Sequence, residues 1–165
     1  MKKFLTRYNL LTESLTMDTL LPNTSFESIQ KLDKIKVYRS SARMNKTSYE
    51  SGIHVGSKQQ ALIRADYMIN DEGSHMRYYL YELEIKLDRI WPMLETDDGQ
   101  NHGNEYYSDI SKDYDIVIYK NTGEGNIKNH NLSIVVLNPD IIISSKVVKT
   151  LTGSYLDSIQ DELYS

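Results

Sequence analysis

The chain has 165 residues, enough for one domain of ordinary size and too few for two independent cores. With 39% hydrophobic and 25% charged residues it is neither a disordered polar tract nor a bundle of membrane spans, and the absence of cysteine excludes disulfide scaffolds, thiol catalysis and Cys-based zinc sites. A net charge of −4 argues against broad, salt-driven nucleic-acid binding as the main activity.

The first 24 residues carry scattered leucines without a clean period and read as an arm on a single core spanning 25–165. No apolar run approaches the roughly 20 residues that cross a bilayer, and the start Met1-Lys2-Lys3-Phe4-Leu5 lacks the apolar stretch of a signal peptide. A cytoplasmic setting away from membranes is therefore expected. Thr24-Ser25-Phe26-Glu27 has capping-box spacing, with Phe26, Ile29 and Leu32 on one face, which predicts a short helix over 25–33. Ile35 to Ser40 alternates apolar and polar, the pattern of a half-buried strand. Ser57-Lys58-Gln59-Gln60 is a second capping box, and Ala61, Leu62, Ala65, Met68 and Ile69 follow at helical spacing, predicting a helix that ends near Asn70. Tyr79, Tyr81, Leu83, Ile85 and Leu87 line one face of a strand, with Leu80, Glu82, Glu84 and Lys86 on the other. From Trp91 to Asp113 no period is visible, so the segment reads as a long loop with at most one helical turn. The β-branched runs 116–119, 132–137 and 141–143 read as buried strands, and 154–163 as a closing helix.

Charge is unevenly placed. Lys31, Lys34, Lys36, Arg39, Arg43 and Lys46 against Asp33 give a local balance of +5, and the seven acids from Glu95 to Asp115 against Lys112 give −6. Several motifs fail on spacing. Gly52-Ile53-His54-Val55-Gly56-Ser57-Lys58 has three residues between its glycines, not the four of a phosphate loop, and Gly123-Glu124-Gly125 lacks the third glycine of a dinucleotide turn. His54, His75, His102 and His130 are too scattered for a usual metal pair, and no metal is expected.

Three segments in order survive: Val37-Tyr38-Arg39-Ser40-Ser41; Gly52-Ile53-His54-Val55-Gly56-Ser57 ahead of the capped helix; and Tyr119-Lys120-Asn121-Thr122-Gly123-Glu124-Gly125 followed by Ser133-Ile134-Val135-Val136-Leu137-Asn138-Pro139. Together they resemble the ADP-ribosyltransferase superfamily, particularly its small phage and bacterial branch, which includes polymorphic-toxin domains and an anti-CRISPR ADP-ribosyltransferase. That branch shows an aromatic-(His/Arg)-small-Ser/Thr strand, a G-x-H-x-G-(Thr/Ser) segment and a Y-x-N…E…S-x-(aliphatic)₂-x-(Asn/Asp)-Pro tail. The resemblance covers about 37–143.

It implies an α+β fold of two packed, curved antiparallel sheets with flanking helices and NAD, as substrate, in the cleft between them. Glu124 takes the catalytic glutamate position, where a carboxylate would stabilise the sugar cation formed as the nicotinamide–ribose bond breaks. Arg39 takes the His/Arg position and would contact ribose or pyrophosphate. His54, Ser40 and Ser57 would supply hydrogen bonds to the dinucleotide, Gly56 a close backbone approach, Tyr67 and Tyr119 stacking surfaces, and Tyr38 and Asn121 complete the cofactor-binding set. Each has a plain structural alternative: a turn glutamate, an outward strand arginine, a structural histidine, a capping serine, packed tyrosines. Thr122 departs from the glutamate or glutamine usual two residues before the catalytic position, so arginine is not expected as acceptor. The implied activity is transfer of ADP-ribose to a macromolecule, protein before nucleic acid, by a toxin-like or phage effector acting in the cytoplasm, of the host if phage-encoded. The competing reading is an inactive relative that blocks a partner with its acidic 95–115 segment.

Overall fold

The computed structural model describes residues 15–16, 26–43, 52–71, 77–97, 104–121 and 131–164. Among the described residues eight strands form two four-stranded sheets: β1 (Leu15–Thr16), β2 (Lys34–Ser41), β4 (Tyr78–Lys86) and β8 (Ile142–Leu151) in the order β1-β2-β4-β8, and β3 (Ile53–Val55), β7 (Asn131–Val136), β6 (Ile116–Asn121) and β5 (Glu95–Asp97) in the order β3-β7-β6-β5. The long pairs are antiparallel, while the short edge strands β1 and β5 pair in parallel with β2 and β6. The expected α+β class with two antiparallel-dominated sheets is present. Two residues of the N-terminal arm, Leu15 and Thr16, enter the first sheet.

Alternation explains how the sheets pack. Ile35 and Val37 of β2 face the same way as their partners Ile85 and Leu83 of β4, and they meet Ile53, Val55, Ile116, Ile118, Ile134 and Val136 of the second sheet in one buried cluster. The reverse face of the first sheet carries Tyr38, Tyr78 and Leu80, covered by α2 (Lys58–Asp66) and by the C-terminal helices α4 (Gly153–Ser158) and α5 (Gln160–Leu163) through Ala61, Leu62, Ala65, Leu156 and Leu163. The β4 face expected to be polar is therefore half buried: Leu80 lies under the helices, while Glu82 and Glu84 pair with Lys146 and Lys34 at 2.9 and 2.5 Å.

Several boundaries move. The first helix, α1, covers only Phe26–Ile29, with Thr24 and Ser25 outside the described residues. The helix after Ser57 runs to Asp66 and then widens into a π-helical turn over Tyr67–Asp71. The expected loop 91–113 contains β5 and a seven-residue helix, α3 (Asn104–Ile110), whose Ile110 and Tyr107 pack on the outer face of the second sheet with Val117, Val135 and Leu137. The closing helix is two, capped by Thr152 and broken at Ile159. The largest miss is β8, expected over only 141–143: residues 143–150 are exposed on both faces, so the strand has no alternating pattern and is held by backbone pairing to β4, with irregularities at Leu80/Tyr81 and Glu84/Ile85. No helix among the described residues is long and apolar enough to cross a membrane.

Candidate functional site

Among the described residues an isolated backbone bridge joins β2 to the chain that leaves β3. Tyr38 N–H donates to the Gly56 carbonyl at 2.8 Å and Gly56 N–H to the Tyr38 carbonyl at 3.0 Å, so the strand carrying Tyr38-Arg39-Ser40 is joined to the segment that starts α2. There the sequence signal is realised in full: the Gln60 N–H donates to Ser57 Oγ at 3.1 Å and the Ser57 N–H to Gln60 Oε1 at 2.7 Å, both arms of a capping box. Gly56 is required for that arrangement. A Cβ there would collide with the Gln60 carboxamide and stand 3.1 Å from Ser133 Oγ. Gly56→Ala should displace the Gln60 cap and cost about 1–2 kcal/mol, read as a lower midpoint in thermal denaturation; an unchanged midpoint would show that the cap absorbs the methyl freely.

Beyond the bridge, the outer face of the second sheet carries a polar strip. His54 Nδ1 and the Tyr119 hydroxyl lie 2.9 Å apart, and the exposed imidazole meets the rings of Tyr119 and Tyr107 edge-on at 5.6 and 6.4 Å. Tyr119 is the cross-strand partner of Ser133, whose Oγ accepts from Asn121 Nδ2 at 3.3 Å. Ser133 and Asn121 are both buried, so this contact satisfies polar groups that would otherwise be costly inside the fold.

The expected site residues divide between faces. Arg39 continues the Ile35–Val37 row and is paired with Tyr81 of the inter-sheet core, so it points between the sheets. Tyr38 and Ser40 point the opposite way. Tyr38 is buried against α2 and its hydroxyl donates to Glu82 Oε2 at 3.1 Å, so its role is packing and positioning rather than an open ligand surface. His54, Gly56, Tyr119 and Asn121 share the outer strip of the second sheet, and Ser57 is held by the cap. Tyr119 is buried among Ile110, Val117 and Val135, which removes it as an open stacking surface and makes it a partner of His54. Tyr67 is exposed in the π-helical turn, with the Arg64 guanidinium 5.7 Å from its ring centre, away from the strip's hydrogen bonds. Glu124, with Thr122, Gly123 and Gly125, lies outside the described residues.

The charge runs also separate. Lys34 is paired with Glu84 on the outside of the first sheet, whereas Arg39 faces inward and Lys46 lies outside the described residues. In the acidic run, Glu95 accepts from Trp91 Nε1 at 3.0 Å and Asp115 is buried in contact with Arg89, so neither belongs to a continuous acidic surface. Among the described carboxylates, Glu82 is held below its ordinary value by its hydrogen bond to Lys146, against the upward push of burial and with help from Tyr38; it remains an ionised acceptor rather than an acid. Among the described residues no group of three His, Asp or Glu side chains could hold a metal ion.

The sequence pattern marks Gln60 only as half of a capping box, and Tyr107 falls in a segment without periodicity. No family model matches the chain, and neither the curated proteins nor the solved structures contain a match.

Proposed function

We propose that this chain is an ADP-ribosyltransferase that moves ADP-ribose from NAD to a macromolecular acceptor. One observation supports the reading most: the three segments that carry the family resemblance, far apart in sequence, converge at a single junction. Tyr38 is bridged to Gly56, Gly56 lies against Ser133, and Ser133 is hydrogen-bonded to Asn121, three residues before Glu124 in the chain. Two packed, mostly antiparallel sheets are also what the resemblance implies.

In this reading Arg39 offers a cation from the inter-sheet side for ribose or pyrophosphate, and His54 offers a ring nitrogen from the outer strip. Glu124 supplies the carboxylate that stabilises the sugar cation as nicotinamide departs and helps deprotonate the acceptor. The net charge of −4 favours a protein acceptor over nucleic acid. The setting proposed is cytoplasmic.

Incubation with labelled NAD and bacterial lysate tests the activity. Label transferred to a discrete macromolecule supports the transferase; no transfer across varied lysates shifts the reading to an inactive interaction protein. Arg39→Ala should weaken NAD binding by about 1.5–3 kcal/mol through loss of a charge-assisted contact in a sheltered place. Calorimetry on the folded variant decides, and unchanged affinity removes Arg39 from the site.

A further inference from the structure

The capping box at the start of α2 leaves one group unexplained. Gln60 is only 2% exposed, and its Oε1 accepts the Ser57 N–H, which fixes the carboxamide: turned over, it would aim a donor at a donor. Its Nε2 is consequently the other end, fully buried, and it finds no acceptor among the described residues. A buried amide donor without an acceptor is costly and calls for a partner. Ser133, 2% exposed, turns its Oγ to the same side of Gly56; that oxygen accepts from Asn121, so its own hydrogen remains to be donated.

The node thus holds one buried donor, Gln60 Nε2, that lacks an acceptor among the described residues. Gly56, Ser57, Ser133 and Asn121, which border it, are neutral, and burying an anion without a cation costs far more than burying a carbonyl or hydroxyl oxygen. We infer that Gln60 Nε2 is a binding subsite that donates a hydrogen bond to a neutral carbonyl or hydroxyl oxygen of the bound dinucleotide. The subsite rests on the NAD reading above and adds to it a residue, Gln60, that the motif comparison does not contain. It also gives the buried glutamine two separate duties: Oε1 holds the helix start and Nε2 holds the ligand.

The test follows the Gln60 side-chain amide resonances of the 15N-labelled protein during titration with NAD and, separately, with ADP-ribose. Saturation should move them. Movement with both compounds places the oxygen on the ADP-ribose half, and movement with NAD alone places it on the nicotinamide half. Gln60→Met, which removes the donor without adding a charge, should lower NAD affinity on the order of 10- to 100-fold. Because it also removes the oxygen that caps the helix, it should lower the thermal midpoint as well. NAD saturation without movement at Gln60, together with wild-type affinity in Gln60→Met, overturns the subsite alone and leaves a buried water as the partner. If Gln60→Met does not fold, the resonances of the wild type decide by themselves. Failure of NAD to saturate the wild-type protein overturns both the subsite and the reading beneath it.

Discussion

Glu124→Gln is expected to abolish most ADP-ribose transfer while leaving NAD binding largely intact. On the proposed transferase reading, the replacement keeps the size of the side chain and much of its hydrogen bonding but removes the negative charge that would stabilise the developing sugar cation, so the loss would fall on the transition state and not on the bound ground state. Removal of one electrostatic contact of this kind costs about 100- to 1,000-fold in rate, whereas exchange of an exposed turn residue costs a few tenths of a kcal/mol in stability and nothing in turnover. Single-turnover transfer measured beside NAD affinity separates the two. A variant with wild-type turnover would move the chemistry to another carboxylate, and the described candidates are poorly placed to take it: Glu82 is engaged by Lys146 and Tyr38, and Asp115 by Arg89 and Asn138.

Asp115→Ala is expected to destabilise the fold by about 3 kcal/mol, the magnitude associated with loss of a buried, hydrogen-bonded carboxylate. Asp115 accepts from Arg89 Nε at 2.9 Å, Arg89 Nη2 at 2.5 Å and Asn138 Nδ2 at 2.9 Å. Its backbone accepts from Leu137 at 2.8 Å and donates to the Arg89 carbonyl at 2.9 Å, so one residue ties the entry to β6 to the exit from β7 and to the chain after β4. The grip holds Arg89 at φ 36°, a left-handed conformation that a residue with a Cβ adopts at a cost. Denaturant unfolding with an unchanged slope and a lowered midpoint would bear this out; a loss below about 0.5 kcal/mol, the range of ordinary surface replacements, would refute it.

Acid should reveal the same contact. Burial pushes the Asp115 carboxyl up, but the hydrogen bonds from Arg89 and Asn138 and the charge of Arg89 outweigh it, leaving the group below its ordinary value of 3.8. A carboxylate lowered on folding contributes its full stability above the unfolded value and loses it as pH falls through the folded one. Stability should therefore hold above about pH 4.5, the ordinary value of the similarly lowered Glu82, and decline below it. The decline should be shallower in Asp115→Ala.

Local pattern was sufficient wherever a residue's partners lie close in sequence or its strand has one wet and one dry face. Ser57 and Gln60 announced their capping box because the two bonds close within three residues, and β2 and β4 announced their inner faces because Ile35, Val37, Leu83 and Ile85 alternate with polar neighbours. Composition likewise excluded membrane spans of helical length in the sequence and any thiol or disulfide chemistry. The order of the three motif segments was legible too, and with it the expectation of NAD chemistry.

Only the tertiary structure decided which of those residues share a face. Arg39 and Ser40 are adjacent in sequence yet point to opposite sides of a sheet, and His54 joins Tyr119 across 65 positions of chain. Tyr119, read as an open stacking surface, becomes a buried support because α3 forms over it from a segment with no visible period. Strand β8 was hidden because its side chains are wet on both faces; backbone pairing with β4, which side-chain pattern does not encode, holds it in the sheet. Asp115 counted as one more acid in a charged run until the fold brought Arg89 and Asn138 to it. In each case the deciding interaction is a long-range hydrogen bond or a burial imposed by another element, and its strength depends on a neighbour that the local sequence does not contain.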